Sequence, residues 1–128
     1  MHITHVALWT SNMERQVRFW TTFFSASCGE KYVSSNNPGF ESYFITLEQG
    51  ATIELMTKPG LVQSDEENNR SGWVHIALAV GSEDNVNALA EQANRQGILA
   101  GKPRWTGDGY YEAVINDPDG NLIEIVAG

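Results

Sequence analysis

The sequence predicts an α+β fold built from two tandem βαβββ modules within 128 residues. Three observations predict it. Strand-like and helix-like patterns run in the order β-α-β-β-β, break in a polar stretch, and then repeat. His5 and Glu54 are 49 positions apart, and so are His75 and Glu124; each member of the second pair lies 70 positions after its counterpart. The strands that hold these four residues also carry one aliphatic face each, suited to packing beneath a helix.

The elements follow in order. His2 to Trp9 alternates and is rich in β-forming residues, so it reads as a strand. Ser11 and Glu14 have capping-box spacing, and Met13, Val17, Trp20 and Phe24 recur at helical intervals, which predicts a helix over 13–24. Glu30 to Ser34 is a short strand, followed by the turn chemistry of Ser35 to Gly39. Phe40 to Leu47 and Thr52 to Thr57 form a hairpin turning near Gln49-Gly50. Lys58 to Gly72, with Pro59-Gly60 and a polar run that includes Asp65-Glu66-Glu67, reads as a linker. Trp73 to Val80 starts the repeat. Ser82 caps a helix that runs to about Gln96 and stops at Gly97. Short strands follow near Ile98 to Ala100 and at Tyr110 to Asn116. Asp117 to Gly120 turns the chain into a last strand, Asn121 to Val126.

Composition narrows the function classes. Eight Lys and Arg against sixteen Asp and Glu give a net charge of −8 with no basic run, which disfavours nucleic acid and an anionic membrane surface as partners. No apolar stretch is long enough to span a bilayer. Met1 to Trp9 lacks a basic segment followed by a long apolar core, so no export signal is expected there. The single cysteine, Cys28, excludes an intrachain disulfide and a CxxC metal site and fits a reducing cytoplasm.

A strand histidine or a glutamate among apolar neighbours is ordinary when it stands alone. Four such residues matched in offset and facing are not. Val6, Leu8, Ile53, Leu55, Ile76, Leu78, Ile123 and Ile125 take the aliphatic face. His5, Glu54, His75 and Glu124 take the other, beside Trp9, Met56 and Trp73. Two imidazoles and two carboxylates on a partly apolar face suit one divalent ion, Zn, Ni, Co, Fe or Mn, because two neighbouring buried carboxylates repel without a cation. If Asp117 to Gly120 closes its hairpin with Asn116 opposite Asn121, Tyr111 shares the face of Glu124 and joins the pocket lining.

The opening HITHVALWTSNMERQVRFW, the segments ATIELM and GWVHIALAV, and the close DPDGNLIEIV resemble the vicinal oxygen chelate superfamily of glyoxalases, bleomycin-binding proteins and dioxygenases. The resemblance spans nearly the whole chain. It implies one domain over 1–128, with module one at about 1–58, a linker at 59–72 and module two at about 73–128. It also implies a cupped mixed sheet around one metal, with His5, Glu54, His75 and Glu124 as ligands. That set is most similar to bacterial glyoxalase I, which favours Ni or Zn. The superfamily also implies a homodimer, whose sites can draw on modules from two chains.

Two positions depart from the glyoxalase I pattern. Trp9 stands four positions after the first His, where an Arg helps hold glutathione, and Lys58 stands four positions after the first Glu, where an Asn does. The expected activity is therefore that of a metal-dependent, glyoxalase-like lyase or isomerase, acting on a small substrate that chelates through adjacent oxygens and working poorly on glutathione adducts. Glu54 or Glu124 would move the proton as base and then acid. Trp9, Met56, Lys58, Trp73 and Tyr111 would contact substrate. The competing classes are an extradiol-type Fe(II) dioxygenase and a protein that binds a small toxic molecule without turnover.

Overall fold

The computed structural model of the chain describes residues 1–63 and 71–128. It has nine strands and two helices among them, in the order β1 (His5–Trp9), α1 (Met13–Phe23), β2 (Ser27–Cys28), β3 (Tyr32–Val33), β4 (Glu41–Thr46), β5 (Thr52–Thr57), β6 (His75–Ala79), α2 (Glu83–Arg95), β7 (Leu99–Trp105), β8 (Tyr111–Asn116) and β9 (Leu122–Val126). The chain divides into two compact units, Met1–Glu67 and Asn68–Gly128. The acidic run 65–67, and half of the expected linker 59–72 with it, lies outside the described residues.

The first unit carries a mixed sheet in the order β1-β5-β4-β2, with β3 also pairing with β4. β1 runs parallel to β5, and β4 antiparallel to it. Asn12 caps α1, its side chain accepting a hydrogen bond from the Arg15 N–H. The cap thus falls one residue after the expected Ser11. The buried stripe of α1 is Met13, Gln16, Phe19, Trp20 and Phe23, rather than the stripe through Val17 and Phe24 that the spacing of apolar residues suggests. Gln16 is fully buried because its Oε1 accepts the indole N–H of Trp20 at 3.1 Å. Trp20, Ile45, Ile53 and Leu55 close the core beneath the helix. The turn before β4 requires glycine at Gly39, which has φ +84° and leaves a space where a Cβ would stand 2.6 Å from the Pro59 ring.

The second unit repeats the design with the sheet order β6-β9-β8-β7. Again the first strand, β6, runs parallel to the last, β9, and β8 antiparallel to it. Ser82 caps α2 as expected, accepting from the Asn85 N–H, and Gly97 (φ +74°) follows the helix end. Val86, Ala90 and Ala93 of the helix pack with Ala113, Ile115, Ile123 and Ile125 of the sheet as its buried apolar residues. β7 extends well past the expected Ala100, through register shifts on either side of Gly101.

One register differs from expectation. Asn116 pairs with Leu122, and Val114 stands opposite Glu124. The Asp117 amide bonds the Asn121 carbonyl, so the loop is the three residues Pro118-Asp119-Gly120, with Gly120 at φ +84°. Asp117 holds it by accepting from the Asp119 and Asn121 amides and from the Asn121 side chain. A one-residue change of register exchanges the two faces of a strand.

Candidate metal centre

Each unit presents one His–Glu pair on the sheet face away from its helix. In the first, β1 and β5 set His5 opposite Thr52 and Ala7 opposite Glu54. In the second, β6 and β9 set His75 opposite Leu122 and Ala77 opposite Glu124. The two pairs are therefore built identically: a histidine opening the first strand, and a glutamate two residues along the parallel last strand. His5 Nε2 lies 3.7 Å from Glu54 Oε2, and His75 Nε2 lies 3.4 Å from Glu124 Oε2. Both carboxylate side chains keep 18% of their exposure, and both imidazoles are more open.

These separations test the fit to a metal. Two ligand atoms each about 2.1 Å from one ion stand about 3.0 Å apart at a right angle and about 3.4 Å apart at a tetrahedral angle. The His75–Glu124 pair matches the second value, and the His5–Glu54 pair is a few tenths of an ångström wider. His5 also has its Nδ1 within 3.3 Å of the Thr4 hydroxyl, which leaves Nε2 toward the carboxylate. Nitrogen and carboxylate donors of this kind suit Zn, Ni, Co, Fe or Mn. Among the described residues, no group of three or more His, Cys, Asp or Glu is arranged to hold an ion; each unit supplies a pair.

The surroundings of the two pairs differ. In the first unit, Phe44 stands opposite Glu54 and meets the His5 ring edge-on at 5.9 Å. Met56 pairs with both Trp9 and Ser42. The Trp9 indole meets Phe40 edge-on at 6.0 Å, and Lys58 Nζ sits 4.4 Å from the Trp9 ring centroid. In the second unit, burial pushes the Glu124 carboxyl above its ordinary value, the neighbouring Glu112 carboxyl raises it further, and His75 opposes the shift. Glu112 is itself buried and accepts from Arg104 Nη2 at 3.1 Å.

Of the expected contact residues, Trp9 and Met56 lie on the face of the His5–Glu54 pair, and Lys58 reaches that face through Trp9. Trp73 is fully exposed, just before β6. Tyr111 is not on the face of Glu124. The observed register turns it toward α2, where its hydroxyl donates to Asn87 Oδ1 at 2.8 Å and its ring lies against Trp105. Phe44, Phe40, Glu112 and Arg104 escape a reading of the sequence. Strand parity would have flagged Phe44 and Glu112 had the hairpin registers been known.

The profile of the Glyoxalase/Bleomycin resistance protein/Dioxygenase superfamily matches residues 2–125. The chain belongs to this superfamily. It is 24% identical over 131 residues to the uncharacterized protein YqjT of Bacillus subtilis (strain 168), covering 96% of each chain. Its fold is similar to that of a glyoxylase/bleomycin resistance protein/dioxygenase domain from Frankia sp. EAN1pec, with a TM-score of 0.83, 17% identity, and 100% and 98% of the two chains covered. It is also similar to the trypanothione-dependent glyoxalase I of Leishmania major, with a TM-score of 0.78, 18% identity, and coverage of 99% and 86%. Two modules in an α+β chain, each a mixed sheet with one helix, are the architecture shared with these superfamily members. No helix among the described residues is long and apolar enough to cross a membrane.

Proposed function

We propose that the protein is a glyoxalase-like lyase or isomerase in which His5, Glu54, His75 and Glu124 hold one divalent ion, Ni or Zn foremost. The substrate is a small molecule that chelates through adjacent oxygens. The observation that carries this reading is the identical construction of the two His–Glu pairs, with one register and one strand offset in both units. In this reading the modules act as a single domain, and the working form is a cytoplasmic homodimer.

When bound, the ion supplies Lewis-acid stabilisation of developing oxyanion charge. The protein residues do the rest. Glu124 and Glu54 each lie within 4 Å of a histidine and keep partial access to solvent, so either can accept a proton from a substrate carbon and return it to the neighbouring carbon. Trp9, Phe40, Phe44 and Met56 give the first pair an apolar wall, and Lys58 adds a cation for an anionic group on the substrate. Trp73 stands ready to contact substrate before β6.

The test is elemental analysis of the purified protein, followed by turnover of hemithioacetals made from several thiols, with and without oxygen. One ion per site, lost in His5→Ala and His75→Ala, with oxygen-independent turnover, is expected. Stoichiometric oxygen consumption would move the protein to the dioxygenase class. Ligand binding without any turnover would make it a sequestering protein.

A further inference from the structure

The second unit carries a third carboxylate beside its His–Glu pair, and the first unit does not. On β8, Val114 stands opposite Glu124 and Glu112 opposite Val126, so Glu112 lies two residues further along on the Glu124 face. The matching position of the first unit, opposite Met56, is Ser42. Glu112 keeps only 7% of its side-chain exposure. β7 places Arg104 directly opposite it, and the Arg104 side chain, 69% exposed overall, bonds Glu112 Oε1 through Nη2 at 3.1 Å. Glu112 and Glu124 are thus diagonal neighbours on one face of adjacent strands.

Once freed from Arg104, a carboxylate on this face is a competent ligand for a divalent ion held by Glu124. An additional protein ligand would fill a coordination position that a chelating substrate needs, since catalytic metal sites work through open positions. We propose that Arg104 is a positioning residue that withholds Glu112 from the metal at His75 and Glu124, keeping that position open. This rests on the assignment of His75 and Glu124 as ligands. Arginine suits the task because its guanidinium does not lose its proton and offers a fixed fork of donors to a carboxylate.

The test uses the whole protein, stripped and reloaded with Co(II), with affinity measured by chelator competition and coordination number by the intensity of the visible absorption bands. Arg104→Met should release Glu112 onto the ion and tighten Co(II) binding about tenfold, similar in size but opposite in sign to the usual effect of losing a group that orients metal ligands. The visible bands should weaken as coordination rises. The double variant Arg104→Met/Glu112→Gln should restore the wild-type affinity and spectrum, and Arg104→Lys should stay near wild type. Glu112→Gln alone should leave the spectrum unchanged. Unchanged affinity and spectrum in Arg104→Met, a double variant that fails to restore them, or a spectral change in Glu112→Gln would each overturn the lock alone. Co(II) binding indifferent to His75→Ala would overturn the ligand assignment, and the lock with it.

Discussion

The Lys58 ammonium sits 4.4 Å from the centroid of the Trp9 indole. These are the two positions at which the sequence departs from the glyoxalase I pattern, and in the folded chain they form one cation–π unit beside the His5–Glu54 pair. Where a guanidinium and an amide would present donors to a peptide carboxylate, this protein presents an indole face with a single ammonium over it.

That unit predicts poor use of glutathione adducts. With Ni- or Zn-loaded protein, kcat/KM for the methylglyoxal–glutathione hemithioacetal should fall below about 10⁴ M⁻¹s⁻¹, the lower end of ordinary enzyme efficiency. Replacing Trp9→Arg and Lys58→Asn together should raise it at least about tenfold. Steady-state kinetics on both proteins decide the matter, and efficient turnover by the wild type would refute the prediction.

Glu124→Gln should lower turnover by about 10²–10⁴, the usual contribution of a general acid–base group. It should also stabilise the metal-free protein at neutral pH. The folded Glu124 carboxyl is raised by burial and by Glu112, so its stability contribution is fully present below its ordinary value of 4.5 and is lost as pH rises through the raised value. The melting-temperature advantage of Glu124→Gln should therefore be larger at pH 7 than at pH 4. A gap independent of pH would show that the carboxyl is not perturbed.

Gln16→Ala should destabilise the first unit by about 1–3 kcal/mol, because it leaves the indole N–H of the fully buried Trp20 without its acceptor. Gln16→Glu should be worse still, since it places a carboxylate in the core. Urea unfolding measures both, and a loss within about 0.5 kcal/mol, typical of surface substitutions, would contradict the role given to this bond.

Light scattering at micromolar concentration should give twice the chain mass of 14.2 kDa. Trp73 and Val74 are strongly exposed ahead of β6, and Trp9 and Phe44 are half-open on the face of the first pair. A second chain would cover apolar surface of this kind. Trp73→Asp should shift the mass toward the monomer; a wild-type monomer at these concentrations would end the proposal.

The sequence by itself determined the duplication, the strand that holds each His and Glu, and the face each residue takes, because these follow from period-two alternation along single strands and from equal offsets between repeats. It also placed the Ser82 cap and the Gly97 stop, which are local chemistry. Pairing between strands was decided by the tertiary structure. The three-residue loop Pro118–Gly120 set Asn116 against Leu122, turned Tyr111 to the helix, and brought Glu112 to the face of Glu124. Burial of Gln16 was hidden for a related reason: a polar side chain enters a core only when a specific partner, here the Trp20 indole, satisfies it. A shift of one residue in a hairpin is invisible to alternation within either strand, since both registers keep each strand's own faces intact, and only the loop conformation and the packing beneath choose between them.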